Sequence, residues 1–160
     1  MMLATQIPEL TLRRLGGDDA DELFELIQKN RDHLTVHGDY AELVTASPET
    51  LLAELSGGDD QVRLGVCLGD RLVGRVDVIP VDLPRYSLGY WLCESVTGRG
   101  YGTAAVERAI GFARDDLGAT DIFAGVTHGN HRSVALLRRN GFVVVADFGR
   151  YTRYRRALQP

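Results

Sequence analysis

Apolar and polar positions along the chain change period several times, and each change marks an element. In IPELTLRRL (7–15) the alternation predicts an opening strand, and in GGDDADELFELIQKN (16–30) the helical spacing of Leu23, Phe24, Leu26 and Ile27 predicts a capped helix. The stretch RDHLTVHGDYAELVTA (31–46) has weak periodicity and reads as a loop. Ser47-Pro48-Glu49 then supplies an N-cap, a proline at the first helical position and an acidic first turn, so a short helix should follow to about Ser56. Apolar runs from Gln61 to Leu68 and from Arg71 to Ile79 flank Gly69-Asp70 and predict a hairpin, with Pro80 and Pro84 breaking the pattern after it. RYSLGYWLC (85–93) predicts a third strand that feeds a glycine-rich turn and a helix from about Gly100 to Leu117. TDIFAGVT (120–127) predicts another strand, and HGNHRSVALLRRNGF (128–142) a last helix stopped by Asn140-Gly141. FVVVADF and RYTRYRRAL close the chain as two strands. Strands outnumber helices, hairpins stand at both ends and a strand-helix-strand unit sits in the centre, which predicts an α/β (α+β) fold with a mixed sheet covered by helices.

Length and composition fit that pattern. At 160 residues, 44% apolar and 25% charged, one folded domain over 1–160 is expected, with no run long enough to span a membrane. The start MMLATQIPEL has neither a basic nor an apolar leader segment, so the cytoplasm is the expected compartment. Cys67 and Cys93 lie in strand-like stretches without metal or redox spacing and read as buried reduced thiols; no metal site is expected from the scattered His and Cys. Charge changes the picture more. Residues 1–90 carry 8 Lys+Arg against 16 Asp+Glu, whereas residues 91–160 carry 10 against 6. An acidic front and a basic back suit an anionic ligand on the second half and a cationic one drawn to the first, although solvated faces alone give the same asymmetry. Nucleic acid is not expected, because the basic residues lack an interleaved stacking motif.

The candidate chemistry centres on SVTGRGYGTAAVERAIGFA (95–113), which places Gly98, Gly100 and Gly102 at the mouth of a helix. The first four N–H groups of a helix have no partner and carry partial positive charge, so bare backbone there can present several donors to one phosphate. A Walker loop is excluded, since Thr103 follows Gly102 with no lysine nearby. The G-x-G-x-G spacing also departs from the dinucleotide fingerprint. A loop whose glycines simply make a tight turn remains the alternative.

GYWLCESVTGRGYGTAAVERAIGFA followed by NHRSVALLRRNGF resembles the Gcn5-related N-acetyltransferase (GNAT) superfamily, in particular its ribosomal-protein alanine/serine N-acetyltransferase (RimJ/RimL-like) branch. The resemblance implies a mostly antiparallel sheet with a splayed central parallel strand pair and helices on both faces. It also implies acetyl-coenzyme A as cofactor, its pyrophosphate gripped by the segment Thr97, Gly98, Arg99, Gly100, Tyr101, Gly102 and Thr103. Thr97 stands where the family has Gln or Arg, which leaves the glycine cradle intact. A main-chain N–H near Leu92 or Cys93 is implied as the donor to the thioester carbonyl.

Asn130 and Ser133 share one face at the start of the last helix. The resemblance implies that Asn130 contacts the pantetheine arm and that Ser133 lies near the sulfur, where it becomes the candidate acid because Leu137 occupies the place of the family's Tyr. As a plain N-cap, Asn130 has a complete structural explanation too. Glu94 and Asp77 are the carboxylates to test as general base, with a solvated or structural role the alternative for either one. His33 and His37 lie in the segment where the family receives its acceptor, and they either contact substrate or line a polar loop. The expected activity is acetyl transfer to a primary amine by direct attack in a ternary complex. The amine is a protein N-terminal α-amine or a small-molecule amine such as an antibiotic. The alternative is a catalytically silent acyl-coenzyme A sensor. The family's exposed strands and helices imply a possible homodimer.

Overall fold

The computed structural model describes residues 1–158. Eight strands, β1 (Met2–Ala4), β2 (Leu10–Arg14), β3 (Val62–Leu68), β4 (Arg71–Asp82), β5 (Arg85–Leu92), β6 (Asp121–Thr127), β7 (Val143–Asp147) and β8 (Tyr151–Ala157), form one sheet in the order β1-β2-β3-β4-β5-β6-β8-β7. Every neighbouring pair is antiparallel except β5 and β6. Six helices, α1 (Ala20–Lys29), α2 (Arg31–Thr35), α3 (Ala41–Thr45), α4 (Pro48–Leu55), α5 (Tyr101–Leu117) and α6 (His131–Arg139), connect them. The mixed sheet and its single parallel pair match the expected fold class.

Strand alternation divides the core between the two faces of the sheet. Val62, Leu64 and Val66 of β3 and Val76 and Val78 of β4 face α5, whose Ala105, Val106, Ala109 and Ala113 are buried; small side chains there bring the helix close to the sheet. Trp91 of β5 and Leu72 of β4 face the other way, against Leu23 and Ile27 of α1 and Leu51 and Leu55 of α4. Helix α5 is bracketed by two glycines in the left-handed region, Gly100 (φ 82°) and Gly118 (φ 69°), so its length is set by where the backbone can turn in and out. Ser47 caps α4 by accepting the Thr50 N–H at 3.1 Å, and Pro48 opens it, as the sequence predicts.

Three local features differ from the sequence reading. Residues 31–46 are not all loop: α2 and α3 lie within them, each anchored by one buried side chain, Leu34 and Val44, too few for a visible period. β4 continues past Pro80 to Asp82, with Pro80 opposite Tyr86 and a register irregularity before Asp82 absorbing the proline. The edge strand β1 buries only Leu3 and leaves no pattern to detect.

Candidate functional site

The parallel pair β5 and β6 makes the site possible. Arg85, Tyr86 and Ser87 pair with Asp121, Ile122 and Phe123, and the pairing stops there although β5 runs to Leu92 and β6 to Thr127. Beyond Ser87 the strands splay, and a cavity of about 430 Å³ opens between them, lined by Leu88, Tyr90, Leu92, Gly125, Val126 and Thr127. Backbone polar groups along such a gap have lost their sheet partners, and apart from the Tyr90 carbonyl, which accepts from the Tyr40 hydroxyl, they are open to a ligand. A second cavity of about 560 Å³ lies under Thr97, Gly98, Gly100, Gly102 and Thr103, and the two share Leu92, Thr97, Gly102, Arg132 and Leu136.

The glycine segment presents a run of backbone donors to open space. Gly98 (φ 76°) and Gly100 (φ 82°) are left-handed, and a Cβ on either would meet no atom within 4 Å. The first bond of α5 is Ala104 N–H to the Gly100 carbonyl at 3.1 Å; among the described residues no acceptor in the chain takes the N–H of Gly98, Arg99, Gly100, Tyr101, Gly102 or Thr103. Six consecutive free donors at a helix start, with open space in front of them, fit a diphosphate. Gly102 serves differently: its conformation is helical, but a Cβ there would stand 2.8 Å from Leu136 Cδ1, so bare backbone lets α6 pack against the first turn of α5 where the two cavities meet.

Of the residues singled out from sequence, Leu92, Thr97, Gly98, Gly100, Gly102 and Thr103 line the second cavity, and Asn130, Ser133, Glu94, His33 and His37 line the gap. Thr97 turns its hydroxyl inward, donating to the Glu94 carbonyl at 2.8 Å. Arg99 is exposed and lines neither cavity, and Tyr101 packs against the core. His33 Nδ1 lies 4.0 Å from Glu94 Oε2, which brings two sequence candidates together, with the Glu94 side chain 77% exposed.

Besides the side chains of Arg99 and Tyr101, two further candidates fall outside both cavities. Cys93 is buried and its N–H donates to the Val73 carbonyl at 2.8 Å, so it is spent on the β4 side. Alternation along the strand then turns the Leu92 N–H the other way, into the gap. Asp77 lines neither cavity. It packs on the α4 side, where Arg75 Nη2 donates to its carboxylate at 2.9 Å and also reaches Glu54 at 3.3 Å, beside Arg63. Burial pushes the Asp77 carboxyl up, against the opposing pull of Arg75. Cys67 and Cys93 are both buried, and burial raises both thiols.

Ser133 has a partner that sequence reading missed. Its hydroxyl is hydrogen-bonded to the Tyr90 hydroxyl across the gap, while its own N–H donates to Asn130 Oδ1 at 3.3 Å. Asn130 is therefore a helix cap and a gap-lining side chain at once. Burial pushes the Tyr90 phenol up to about 12, opposed by the Ser133 bond, so the pair carries its protons throughout the neutral range. Tyr40, Asp39 and Arg132 also line the gap and were not singled out. The signal for Tyr90 was its phase in SLGYWL, where Leu88, Tyr90 and Leu92 must share a face. A hydroxyl pair, a free main-chain N–H and an unbonded amide cradle within one connected cleft can hold a phosphorylated thioester, polarise its carbonyl and protonate a departing thiolate.

Comparison with known proteins agrees with this geometry. Residues 9–143 match the family described as Acetyltransferase (GNAT) domain. A Bacillus subtilis (strain 168) protein, YdaF, assigned provisionally as a ribosomal N-acetyltransferase, is 27% identical over 146 residues, covering 84% of this chain and 78% of its own. Among solved structures, RimL, a ribosomal L7/L12 alpha-N-protein acetyltransferase in complex with coenzyme A, superposes with a TM-score of 0.86 at 17% identity, covering 99% of this chain and 98% of its own. The microcin C7 self-immunity acetyltransferase MccE, in complex with acetyl-CoA and AMP, gives 0.78 at 19% identity over 95% and 94%.

Proposed function

The chain belongs to the GNAT acetyltransferase family and is an acyltransferase that uses acetyl-coenzyme A, and on that premise we propose that it acetylates the N-terminal α-amine of a protein or peptide by direct attack in a ternary complex in the cytoplasm. The observation that carries the reading is the row of unbonded amides from Gly98 to Thr103 opening directly onto the gap between β5 and β6. These amides hold the pyrophosphate, aided by Arg132 from α6. Asn130 and the free backbone edges of β5 and β6 satisfy the amides of the pantetheine arm.

Bound acetyl-coenzyme A supplies an activated acetyl carbonyl and a thiol leaving group. The Leu92 N–H donates to the carbonyl oxygen as negative charge develops on it. Ser133, backed by Tyr90, delivers a proton to the departing sulfur, which fills the role for which Leu137, fully buried in the core, is unsuited. A thiolate with pKa about 8.5 leaves readily, so this proton contributes modestly. Holding amine and thioester together contributes more, since well-oriented partners reach effective molarities of about 10⁵ M or above.

An α-amine suits a site with so little basic machinery. With a pKa of about 7.8 its deprotonation at pH 7 costs about 1 kcal/mol, against about 4.6 for a lysine amine at 10.4. Glu94 and His33 stand at the edge of the gap, placed to pass the proton to solvent. The test is thiol release from acetyl-coenzyme A with short peptides carrying a free N-terminus, the same peptides with the N-terminus blocked and an internal lysine, and small amines. Turnover with the first set and none with the second is expected; tight binding of acetyl-coenzyme A without turnover on any amine would replace this reading with that of an acyl-coenzyme A sensor.

A further inference from the structure

Tyr40 is the one residue other than glycine with a positive φ among the described residues, at 63°, a backbone state costly for an aromatic side chain. What holds it there is a hydrogen bond from the Tyr40 hydroxyl to the Tyr90 carbonyl, 2.5 Å, on β5. The preceding residue, Asp39, is held from the other side of the gap: Thr127 Oγ1, at the end of β6, donates to Asp39 Oδ1 at 2.7 Å. Asp39 and Tyr40 thus strap the mouth of the gap with one contact to each splayed strand.

Beyond the strap lies an outer cleft of about 670 Å³ that includes Phe148, Arg150 and Tyr151. The gap and the outer cleft share His37, Asp39, Tyr40, Gly125 and Thr127, so Asp39 stands where one opens into the other. A Cβ at Gly125 would meet the Tyr151 ring at 3.2 and 3.4 Å; bare backbone lets that ring, stacked on Phe148, lie against β6. The Asp39 carboxylate, partly exposed, forms no ion pair with any Arg, Lys or His among the described residues. One hydroxyl donor leaves most of its acceptor capacity unused. Asp77 and Glu54 differ, because Arg75 and Arg63 already neutralise them.

We propose that Asp39 is the specificity-determining residue of the acceptor site: its carboxylate docks the acceptor's ammonium group at the constriction between the outer cleft and the gap, and so selects cationic primary amines. The docked amine releases that proton to solvent past His33 and Glu94 and enters the gap as the free base before attack. The proposal rests on the acetyl-transfer reading above and deepens it by naming the charge state in which the acceptor arrives. The outer cleft, with its aromatic pair and Arg150, takes the chain that follows the amine.

The experiment takes the free-amine peptide turned over fastest by the wild type, together with its counterpart lacking the amino group, used as a competitive inhibitor. Asp39→Asn keeps the size of the side chain and its acceptor for Thr127. It is expected to raise KM for the peptide about 10- to 100-fold, the loss of a charge-assisted contact, while the inhibition constant of the uncharged counterpart and the affinity for acetyl-coenzyme A change less than about 2-fold. Asp39→Glu is expected to restore part of the KM. Equal weakening of the charged and uncharged peptides would show that Asp39 only shapes the strap, and an unchanged KM would show that the ammonium docks elsewhere; either overturns the proposal while leaving acetyl transfer intact. A wild-type enzyme that binds acetyl-coenzyme A yet acetylates no amine overturns the transfer reading itself, and the proposal with it.

Discussion

Replacing Gly100 tests the amide cradle with a built-in control on the same helix. Gly100 and Gly118 are both left-handed, at φ 82° and 69°, and a Cβ on either meets no atom within 4 Å, so neither substitution creates a clash. For alanine the left-handed backbone costs about 1–2 kcal/mol, partly offset by about 0.4–1 kcal/mol from a less flexible unfolded chain, and a β-branched valine costs more. Both variants are therefore expected to lower stability by similar amounts, of order 1 kcal/mol for alanine. Their effects on the cofactor diverge. Relaxing Gly100 toward negative φ turns the neighbouring N–H groups away from a common point, and each donor contact with an anion at a helix start is worth about 0.3–2 kcal/mol. Loss of two contacts weakens coenzyme A binding by about 3- to 850-fold, whereas Gly118, at the far end of α5, contributes nothing to it. Isothermal titration with coenzyme A, alongside thermal unfolding, reads both quantities. Equal Kd values for Gly100→Val and Gly118→Val, with both proteins folded, would refute the phosphate role of the loop.

Ser133→Ala and Tyr90→Phe are each expected to lower kcat about 10-fold with acetyl-coenzyme A affinity unchanged, and the double variant to be no slower than the worse single one, because the two hydroxyls act as a unit; additive losses in steady-state kinetics would contradict this. Tyr90 also makes stability pH-dependent at the alkaline end. Its phenol is raised from 10.0 to about 12 in the fold, so the folded state holds the proton where the unfolded state has released it, and stability falls as pH rises through that window. Tyr90→Phe removes its share of the fall in denaturant titrations between pH 9 and 12 and leaves the share of Tyr40, whose phenol burial raises in the same direction. Asp77→Asn is expected to lower the midpoint of unfolding, by about 1–3 kcal/mol in stability, with kcat and the acceptor KM unchanged; a selective loss of kcat would return Asp77 to the reaction.

Local rules carried most of the fold. The hairpin at Gly69, the proline-started α4 and the glycine stops of α5 and α6 depend on residues within a few positions of one another, and each stands where the pattern places it. The glycine turn at the mouth of α5 was legible for the same reason, since a strand, three small residues and a helix are contiguous in sequence. What escaped depends on distant partners or strand phase. The Tyr90–Ser133 and Asp39–Thr127 pairs join residues 43 and 88 positions apart. Asp77 sits one strand from the gap, yet its alternation turns it toward Arg75 and Glu54 rather than into the cleft. Cys93 and Leu92 differ by one residue and face opposite ways, a phase fixed only when β5 docks on β4.

The central claim is that the free amides at the start of α5 and the unpaired edge of β5 receive a single ligand. Amide hydrogen exchange, followed residue by residue as coenzyme A is added, tests it directly. The account predicts slowed exchange at Gly98 through Thr103 and at Leu92, with no change at Gly118 or Ala119. Protection confined to other segments, with Gly98 to Thr103 exchanging as fast as before, would contradict it.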